Sequence, residues 1–529
     1  MMYTDSVSAT SNASALRQRV QGRSVADALA LFAADDPERP LVLLGHQRLS
    51  LGEVDAQAGA LAGAMSGLGI GAGERIALVL PNGPEFVLAL FAAAKLGATV
   101  VPLNPRYTPT ELQSLLRHSE AAVVFAGGPL EGLRGALPEL RHVVTLSNGA
   151  GTISFAELLS QCGQAPRVEV DPQEPFAILY TSGMSGQPKG VVLSHTNVLA
   201  SALGTVDAIG LRGDDVVFGV GALFNSFGLV PGLLGTLLAG ASLVLHDGEE
   251  PARALDILER EKVTVHHGIP TSFILELREP GLRERKLGQL RTGIVAGAPI
   301  SEELVVRIQQ TLVPGIRVGY GLTETGPLIA VTSPDDPPHQ QISTVGRPLP
   351  GNEVRVLDPE GAVLPEESVG EIVVRGPGVM SGYFREPEET AQAFTEDGFF
   401  RTGDLGMVDD EGFLHVLARR KEIIIRGGYN IYPREVEDRL HVHPAVLDVA
   451  VVGVPNEVLG EVACACIVPV EGAVVTGPEI LDFCRETLAD YKVPDLVRFL
   501  DALPTTGSGK ARRIELARMI SAEESSRRP

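Results

Sequence analysis

The sequence predicts an α/β protein with a large, multi-subdomain N-terminal domain and a small, mobile α+β C-terminal domain. In the large domain we expect parallel-rich sheets with helices, plus a small β subdomain. The first reason is length, since 529 residues are too many for one hydrophobic core. The second is that apolar strand-like segments alternate with helical ones through the first half, which is typical of βαβ units. The third is a change of pattern near residue 346 and another after Arg419.

The alternation starts at residues 75–80, an apolar run that predicts a strand. A helix is predicted at 84–95, because a proline stands in its first turn, and a strand at 98–102 follows. The rhythm continues with helix 110–118, strand 121–125, strand 216–220, helix 251–261 and strand 263–266. Strands joined through helices run parallel, so we expect a parallel sheet with helices on both faces.

The later segments predict two smaller units. Residues 346–418 contain short β segments separated by glycine and proline, which indicates a mainly antiparallel subdomain within an N-terminal domain of residues 24–418. Residues 422–529 mix helix and strand over about a hundred positions, which is typical of a separate α+β domain. Residues 1–23 are polar and rich in Ser, Ala and Thr, so we expect a flexible tail and no signal peptide.

Charge and cysteine content exclude several classes of function. The formal net charge is −22, whereas binding to nucleic acid or anionic membranes needs basic patches. We therefore expect no nucleic-acid partner, and locally concentrated positive charge wherever an anion binds. The cysteines are scattered, which indicates no metal site and fits a reducing, cytoplasmic location. They are Cys162, Cys464, Cys466 and Cys484, and the alternation of two of them with alanines predicts strand core.

One uncharged stretch is long enough to cross a membrane. Residues 227–245 contain no charged side chain. Pro231 and four glycines interrupt the stretch, however, and residues 242–245 have the composition of a strand. We therefore predict a buried helix followed by a strand, and no membrane span.

The most informative segment is residues 180–190, Tyr-Thr-Ser-Gly-Met-Ser-Gly-Gln-Pro-Lys-Gly, which lies between predicted strands 176–180 and 191–194. The backbone N–H groups and hydroxyls of such a loop can surround phosphate oxygens, and a lysine adds positive charge. We predict a phosphate-binding loop; the alternative is a glycine-rich hairpin that binds nothing. The candidate phosphate contacts are Thr181, Ser182, Gly183, Ser185, Gly186 and Lys189.

Neither this loop nor a second lysine segment fits the P-loop of nucleotide triphosphatases, in which Gly-Lys is followed by Ser or Thr. In the first segment Pro188 precedes Lys189 and Gly190 follows it. Residues 507–510, Gly-Ser-Gly-Lys, also fail, because Ala511 follows the lysine. The Walker type of fold is therefore disfavoured.

Four more motifs follow downstream in this order: 319–326 (Gly-Tyr-Gly-Leu-Thr-Glu-Thr-Gly), 401–405 (Arg-Thr-Gly-Asp-Leu), 419–423 (Arg-Arg-Lys-Glu-Ile) and 504–510 (Pro-Thr-Thr-Gly-Ser-Gly-Lys). Together with the loop, they resemble the motifs of the adenylate-forming superfamily, which includes acyl-CoA synthetases, peptide-synthetase adenylation domains and luciferases. The resemblance covers about residues 24–519. It indicates the AMP-dependent acyl-CoA synthetase/ligase family, whose members include fatty-acyl-CoA and 4-coumarate-CoA ligases.

The resemblance implies an enzyme that uses ATP and Mg²⁺ to make an acyl-AMP and then transfers the acyl group to CoA. Lys189 and the loop hydroxyls would hold the β- and γ-phosphates, although the family usually has threonine where Met184 stands. Tyr320 would contact adenine, Thr323 the α-phosphate and Glu324 the Mg²⁺, a hard cation that prefers oxygen ligands. The other implied nucleotide contacts are Gly297, Ala298, Pro299, Gly319 and Gly321.

The resemblance also assigns roles near the C-terminal domain. Asp404 would accept hydrogen bonds from the ribose hydroxyls, with Arg419 beside it. Lys510 would reach the reacting carboxylate and α-phosphate during adenylation. Residues 419–421 would form a hinge that turns about Lys421, so that a thiol replaces Lys510 in the second step. The glycines expected beside the CoA channel are Gly427 and Gly428.

The acid is less well specified by the sequence. By resemblance, the acyl pocket would involve Asn225, where many relatives have histidine, together with His267 and Gly297. His266 and His267 are adjacent on a predicted strand and so point to opposite faces, which disfavours a metal site. We expect a monocarboxylic acid, with a medium- or long-chain fatty acid favoured because residues 228–239 are aliphatic and glycine-rich.

Several alternatives stay open at this point. The acid could be aromatic, as for 4-coumarate or benzoate ligases, or the acceptor could be a carrier protein. Luciferase-like oxidation shares the adenylation step. From another class, the chain could be a nucleotide-binding sensor that has lost turnover. The sequence also leaves a homodimer open.

Overall fold

The computed structural model describes residues 14–128, 130, 137–147, 151–161, 166, 168–181, 188–219, 221–246, 250–419, 422–427, 429–456, 458–505 and 511–527. In these ranges the chain forms two large sheets and a small one before residue 420, and a fourth sheet after it. This confirms the predicted α/β fold with a large N-terminal and a small C-terminal domain.

The largest sheet has nine strands in the described part of the chain. Their spatial order is Arg347–Pro348, Ala330–Val331, Gly315–Tyr320, Thr292–Val295, Val265–His267, Val216–Gly219, Ser242–Val244, Pro40–Leu44 and Gln47–Ser50. The central strands, from Gly315–Tyr320 to Pro40–Leu44, are parallel, as the βαβ alternation predicts. Their carboxyl ends therefore share one edge, where ligands of open α/β sheets commonly bind.

The second large sheet has eight described strands. They follow the order Gly382–Tyr383, Lys189–Ser194, Pro175–Thr181, Thr99–Pro102, Arg75–Val79, Ala121–Ala126, His142–Thr145 and Ile153–Ser154. The pair Pro175–Thr181 and Lys189–Ser194 is antiparallel, so the segment between them connects the two strands of a hairpin. The predicted phosphate loop is this connection.

Two smaller sheets complete the fold. The third sheet is antiparallel and has the order Glu353–Leu357, Gly370–Arg375, Phe400–Val408 and Leu414–Arg419. The C-terminal sheet has the order Tyr429–Ile431, Ile424–Arg426, Gly460–Pro469 and Val446–Asn456, with Leu496–Phe499 beside Gly460–Pro469. Cys464 and Cys466 are buried in the core of this sheet, as predicted.

Helices cover the sheets, and several of them enter one large buried cluster together with both large sheets. After a helix at residues 14–20, the α-helices of the described chain are Val25–Asp35, Leu51–Gly67, Pro84–Leu96, Pro109–Ser119, Phe155–Ser160, His195–Ile209, Gly235–Ala239, Pro251–Arg260, Pro270–Arg278, Glu302–Thr311, Pro338–Ser343, Pro387–Ala393, Pro433–His441, Gly477–Arg485 and Arg513–Arg527. Short 3₁₀ turns are Leu282–Glu284, Thr323–Thr325 and Asp490–Lys492. Pro84–Leu96 is apolar on nearly every face, which is why it lies at the centre of the core.

The uncharged stretch 227–245 is buried, as predicted. It contains the π-helical turn Gly228–Leu234, the helix Gly235–Ala239 and the strand Ser242–Val244. Pro231 lacks the N–H group of a regular helix, which accounts for irregular winding at this point. Over the described residues, no helix is both long and apolar enough to cross a bilayer.

The sequence predicts a flexible tail over residues 1–23, and this is wrong for residues 14–20. Residues 14–20 form a helix, and Val20 is 3% exposed against the core. Leu16 and Val20 are four residues apart and so share one helix face, while Arg17 forms an ion pair of 2.8 Å with Asp207. Tertiary contacts therefore order a segment whose composition suggested a tail.

The C-terminal part packs against the N-terminal part through backbone carbonyls. Arg434 donates to the carbonyls of Val416 at 2.6 Å and Ile300 at 3.2 Å. Arg278, in the N-terminal part, donates to the carbonyl of Val446, in the C-terminal part, at 3.0 Å. The interface is thus polar, which is usual between domains that move relative to each other.

Candidate active site

Two glycine positions shape the edge of the nine-stranded sheet where the predicted nucleotide contacts lie. A Cβ atom at Gly321 would come within 2.0 Å of the Pro327 carbonyl oxygen, so only glycine lets these backbone segments approach. Gly297 has φ of +87°, a left-handed conformation that turns the chain after strand Thr292–Val295. Gly297, Ala298 and Pro299 are consequently exposed beside Tyr320, which ends the neighbouring strand.

Tyr320, Asp404 and Arg419 form one polar cluster at this edge. The Tyr320 hydroxyl donates to one carboxylate oxygen of Asp404 at 2.6 Å, and the Arg419 Nε lies 3.1 Å from the other oxygen. Asp404 is 4% exposed and stands directly opposite Arg419 in the antiparallel pair of strands. Desolvation and the Asp404 carboxylate raise the pKa of Tyr320 well above its usual value, so its phenol stays a donor.

Thr323 and Glu324 follow on a 3₁₀ turn, Thr323–Thr325. The hydroxyls of Thr323 and Ser226 are 3.0 Å apart. One Glu324 carboxylate oxygen accepts a hydrogen bond from the Tyr383 hydroxyl at 3.2 Å. Desolvation and Glu324 both raise the pKa of Tyr383, so it also remains a donor. A hydroxyl and a carboxylate thus face the same region beside Tyr320.

Lys189 lies on the other side of Tyr383, on the eight-stranded sheet. Its Nζ is 4.9 Å from the centre of the Tyr383 ring and forms an ion pair with Glu389. Thr181 is its partner across the hairpin, so the two described ends of the loop are held together. Lys189 and Glu324 come from different sheets, and Tyr383 contacts both.

Several predicted residues lie outside the described part of the chain. They are Ser182, Gly183, Ser185 and Gly186 of the loop, the hinge residue Lys421, Gly428 and Lys510. The ends of the turn that carries position 510 are described: Thr505 and Ala511 pair in an antiparallel bridge. The positive charge of Arg512, next along the chain, helps to lower the pKa of Glu111, after the larger effect of hydrogen bonds from Thr108. Arg512 is therefore near enough to Glu111 of the N-terminal part to influence its charge.

Gly427 is separate from the Tyr320 cluster. It is exposed in the hairpin between Ile424–Arg426 and Tyr429–Ile431, and its N–H donates to the Leu459 carbonyl at 2.7 Å. None of the hydrogen bonds of the described residues joins Gly427 to Tyr320, Thr323 or Asp404. The hydrogen bonds of the described residues thus join Tyr320 to Asp404, with Arg419 beside Asp404, and leave Gly427 outside this cluster.

Comparison with known proteins identifies this arrangement. The family model described as AMP-binding enzyme matches residues 29–384, and the model of the AMP-binding enzyme C-terminal domain matches residues 435–510. The chain belongs to the AMP-binding enzyme family. Within it, the chain is an acyl-CoA synthetase of the adenylate-forming superfamily, an AMP-forming acid–thiol ligase, as the sequence motifs predict.

Members of this family similar to the chain act on different acids. Feruloyl-CoA synthase of an Amycolatopsis species is 36% identical over 488 residues, which cover 91% of this chain and 96% of that protein. The mitochondrial medium-chain acyl-CoA ligase ACSF2 of Macaca fascicularis is 31% identical, over 94% of this chain and 87% of that protein. The crystal structure of the anthranilate CoA ligase AuaEII with anthranoyl-AMP has a TM-score of 0.90 and 27% identity, and covers 95% and 98% of the two chains.

Two of the expected acyl-pocket residues, Asn225 and His267, are connected to Thr323 through Ser226 and Phe227. Asn225 is half-buried at the start of the segment that carries Ser226 and Phe227, and its carbonyl accepts the N–H of Leu229 at 2.9 Å. The His267 ring packs edge-on to Phe227, with ring centres 6.0 Å apart. Burial, and then the charge of His266, lower the pKa of His267 to about 3, so its imidazole is neutral.

His266 points to the opposite face, where its Nε2 lies 2.8 Å from the Glu276 carboxylate. The paired histidines therefore share no ligand, as their adjacency on a strand predicts. Among the described residues, no group of three or more His, Cys, Asp or Glu side chains could hold a metal ion. A single carboxylate such as Glu324 remains a suitable ligand for Mg²⁺, which takes its other ligands from water and phosphates.

Four residues of the site were missed by the sequence reasoning. They are Asn82, Ser226, Tyr383 and Glu389. Asn82 holds the segment before Asn225, because its side chain accepts the N–H of Leu223 at 2.8 Å and donates to the Gly221 carbonyl at 3.3 Å. Only Ser226 carried a signal, since it lies within the predicted pocket segment; the others act through contacts between distant parts of the chain.

Proposed function

We propose that the protein converts a monocarboxylic acid to its acyl-AMP, with release of pyrophosphate, and then to an acyl-CoA thioester. The observation that carries this proposal is the cluster of Tyr320, Asp404 and Arg419 beside Thr323 and Glu324. It combines a carboxylate suited to ribose hydroxyls with a hydroxyl and a carboxylate suited to phosphate and its cation.

In the first step a carboxylate oxygen attacks the α-phosphorus of ATP, and the bond from that phosphorus to the bridging oxygen of pyrophosphate breaks. Asp404 holds the ribose, and Tyr320 lies along adenine while it donates to Asp404. The Thr323 hydroxyl donates to the α-phosphate, and Lys189 supplies positive charge to the departing phosphates. Lys510, which lies outside the described residues, is assigned to the reacting carboxylate.

The residues present fit a Mg²⁺ ion at Glu324. Its carboxylate is half-buried and receives one hydrogen bond from Tyr383, which leaves oxygen lone pairs for a cation. Bound there, the ion would neutralise phosphate charge. Tyr383 would orient the carboxylate, and Lys189 would supply further charge from the opposite side of the Tyr383 ring.

In the second step the sulfur of CoA attacks the acyl carbonyl carbon, AMP leaves, and the thiol proton is released. We propose that residues 422–529 rotate about the hinge 419–421, so that Gly427 moves to the acyl-AMP. The polar contacts of Arg434 and Arg278 across the domain interface support this motion, because water can replace them.

Two classes of acid fit the proposed chemistry. The aliphatic segment around Gly228–Leu234 supports an acid with an apolar body, such as a fatty acid. Relatives named for feruloyl-CoA and anthranoyl-AMP support an aromatic acid equally. Both types share the adenylation chemistry described above.

Exchange of radioactive pyrophosphate into ATP, measured with a panel of fatty and aromatic acids, tests the first step. Acyl-CoA formation with CoA present tests the second. We expect acid-dependent exchange and a thioester product. Exchange without any thioester would favour a carrier-protein acceptor, and ATP binding without exchange for any acid would favour a nucleotide sensor.

A further inference from the structure

One ring nitrogen of His267 is a buried hydrogen-bond donor. His267 ends the strand Val265–His267 and is 2% exposed. Its Nδ1 lies 3.2 Å from the backbone N of Ile294, whose N–H must donate to it. The Nδ1 atom therefore carries the lone pair, and because the imidazole is neutral, the proton is on Nε2.

This Nε2–H has no hydrogen-bond partner among the described residues, and it is buried. The neighbouring His266 shows the usual situation: its Nε2 pairs with Glu276 at 2.8 Å and its Nδ1 with the His267 carbonyl at 3.1 Å. A buried donor without a partner is unfavourable and rare in folded proteins, so an acceptor is expected in the functional state.

The position of His267 indicates where that acceptor comes from. Its ring packs edge-on to that of Phe227, and the preceding residue of the chain, Ser226, has its hydroxyl 3.0 Å from that of Thr323. Thr323 is the residue assigned above to the α-phosphate, where the acyl group is attached. The body of the acid would extend from Thr323 past Phe227 towards His267. Phe227 is half-buried, so its side chain is the part of this route that can adjust when an acid binds.

We propose that the acid carries an oxygen acceptor remote from its carboxylate, as a keto, hydroxyl or alkoxy group, and that the Nε2–H of His267 donates to this oxygen. This rests on the proposed function, because it requires that the pocket beside Thr323 takes the acyl group. A plain hydrocarbon acid would leave the donor unpaired in the complex, so such acids are poor substrates. The inference thus replaces the simple fatty acid favoured by sequence with an oxygen-bearing acid.

Matched acids of nearly equal size test the proposal on the wild-type protein. One pair is 3-(4-methoxyphenyl)propanoate and 3-(4-ethylphenyl)propanoate. A second series compares oxodecanoates, with the keto group at carbon 5, 7 or 9, with methyldecanoates branched at the same carbon. We expect kcat/KM in pyrophosphate exchange to favour the best oxygen-bearing acid over its hydrocarbon match by about tenfold or more. If every hydrocarbon is used as well as its oxygen-bearing match, the proposal is overturned.

The variant His267→Leu should bring that ratio close to one, mainly through poorer use of the oxygen-bearing acid. The matched control is His195→Leu. His195 is 1% exposed, and its Nδ1 accepts the Val25 N–H at 3.1 Å, so this variant loses the same kind of bond on the eight-stranded sheet side, where no described hydrogen bond joins His195 to Thr323 or Ser226. It should keep the wild-type ratio. Both acids are measured on one preparation, so a smaller folded fraction cancels from the ratio.

An unchanged ratio in His267→Leu would overturn the assignment of the donor. If that variant is inactive with both acids, the wild-type pairs decide alone. A different result would contradict the proposed function itself, namely that no acid of either type supports pyrophosphate exchange. Equal exchange by both types leaves the proposed function standing and rejects only the role of His267.

Discussion

Arg419 and Lys189 are two cations of the candidate site, and each pairs with a carboxylate, but the two pairs differ in which partner is open to solvent. In the first pair the Asp404 side chain is 5% exposed and also accepts the Tyr320 hydroxyl at 2.6 Å, whereas Arg419 is 45% exposed. The Glu389 side chain beside Lys189 is 42% exposed, on the short helix Pro387–Ala393, none of whose residues is buried.

The difference suggests that the proposed nucleotide site has a fixed end, formed by Asp404 and Arg419, and an exchangeable end, formed by Lys189 and Glu389. A buried carboxylate held from two sides keeps its geometry without ligand, which suits the constant part of ATP. An exposed ion pair contributes only about 0–1 kcal/mol, so phosphate oxygens can replace Glu389 as the partner of Lys189. We expect the phosphates, which leave during the reaction, to bind at the exchangeable end.

The largest effect is expected from Asp404→Asn, which removes the negative charge at the fixed end and leaves Arg419 without its partner. Asp404 is assigned to both ribose hydroxyls, a hydrogen bond to a charged group contributes about 1.5–3 kcal/mol, and each 1.4 kcal/mol is about tenfold. We therefore expect kcat/KM for ATP in pyrophosphate exchange to fall by about 10²- to 10³-fold. The control is Asp409→Asn, since Asp409 pairs with His415 at 2.9 Å in the same sheet. An equal loss in the control would mean that stability, not ATP binding, had changed.

The second effect concerns Lys189→Met, which keeps the length of the side chain and removes its charge. A hydrogen bond between charged groups contributes about 1.5–3 kcal/mol, so KM for ATP should rise about 10- to 100-fold. Lys95→Met is a close control, because Lys95 pairs with Asp55 at 2.7 Å and has a side-chain exposure of 17%, against 19% for Lys189. A normal KM for ATP in Lys189→Met would contradict the assignment of this end to the phosphates.

A smaller effect is expected from Tyr320→Phe, which removes the hydrogen bond from the tyrosine hydroxyl to Asp404 and keeps the aromatic ring. A typical hydrogen bond contributes about 1 kcal/mol, so KM for ATP should rise about three- to tenfold. The raised pKa of Tyr320 means that the phenol does not ionise below pH 10, so the variant and the wild type should share one pH profile up to that value. Tyr429→Phe, at a position 60% exposed, is the control. A loss of wild-type activity below pH 10 that Tyr320→Phe does not show would contradict this expectation.

The fixed end could be predicted from sequence far better than the exchangeable end. Tyr320 and Asp404 lie in short motifs that are recognisable in the sequence, and the structure places Tyr320 at the end of a parallel strand. The pairing of Asp404 with Arg419 needed the hairpin register, which includes a bulge between Leu405 and Gly406. Motifs therefore identified the residues, but not which oxygen meets which nitrogen.

Glu389 and Tyr383 could not be found in this way. They lie 200 and 59 positions from their partners Lys189 and Glu324, and no local pattern records such a contact. The same holds for the helix at 14–20, which depends on Val20 reaching the core and on the ion pair with Asp207. Tertiary contacts of this kind override local composition.

The smallest expected effect, Glu389→Gln, tests the comparison most directly because it should improve ATP binding. In this variant Lys189 has no carboxylate partner to give up when ATP binds. Because an exposed ion pair contributes about 0–1 kcal/mol, KM for ATP should fall by up to about fivefold. The control is the neighbouring variant Glu388→Gln, which makes the same charge change at an exposed position. In a Lys189→Met background the effect of Glu389→Gln should vanish, since the two residues act through one contact. A higher KM for ATP, or an equal improvement without Lys189, would show that Glu389 does not compete with the phosphates.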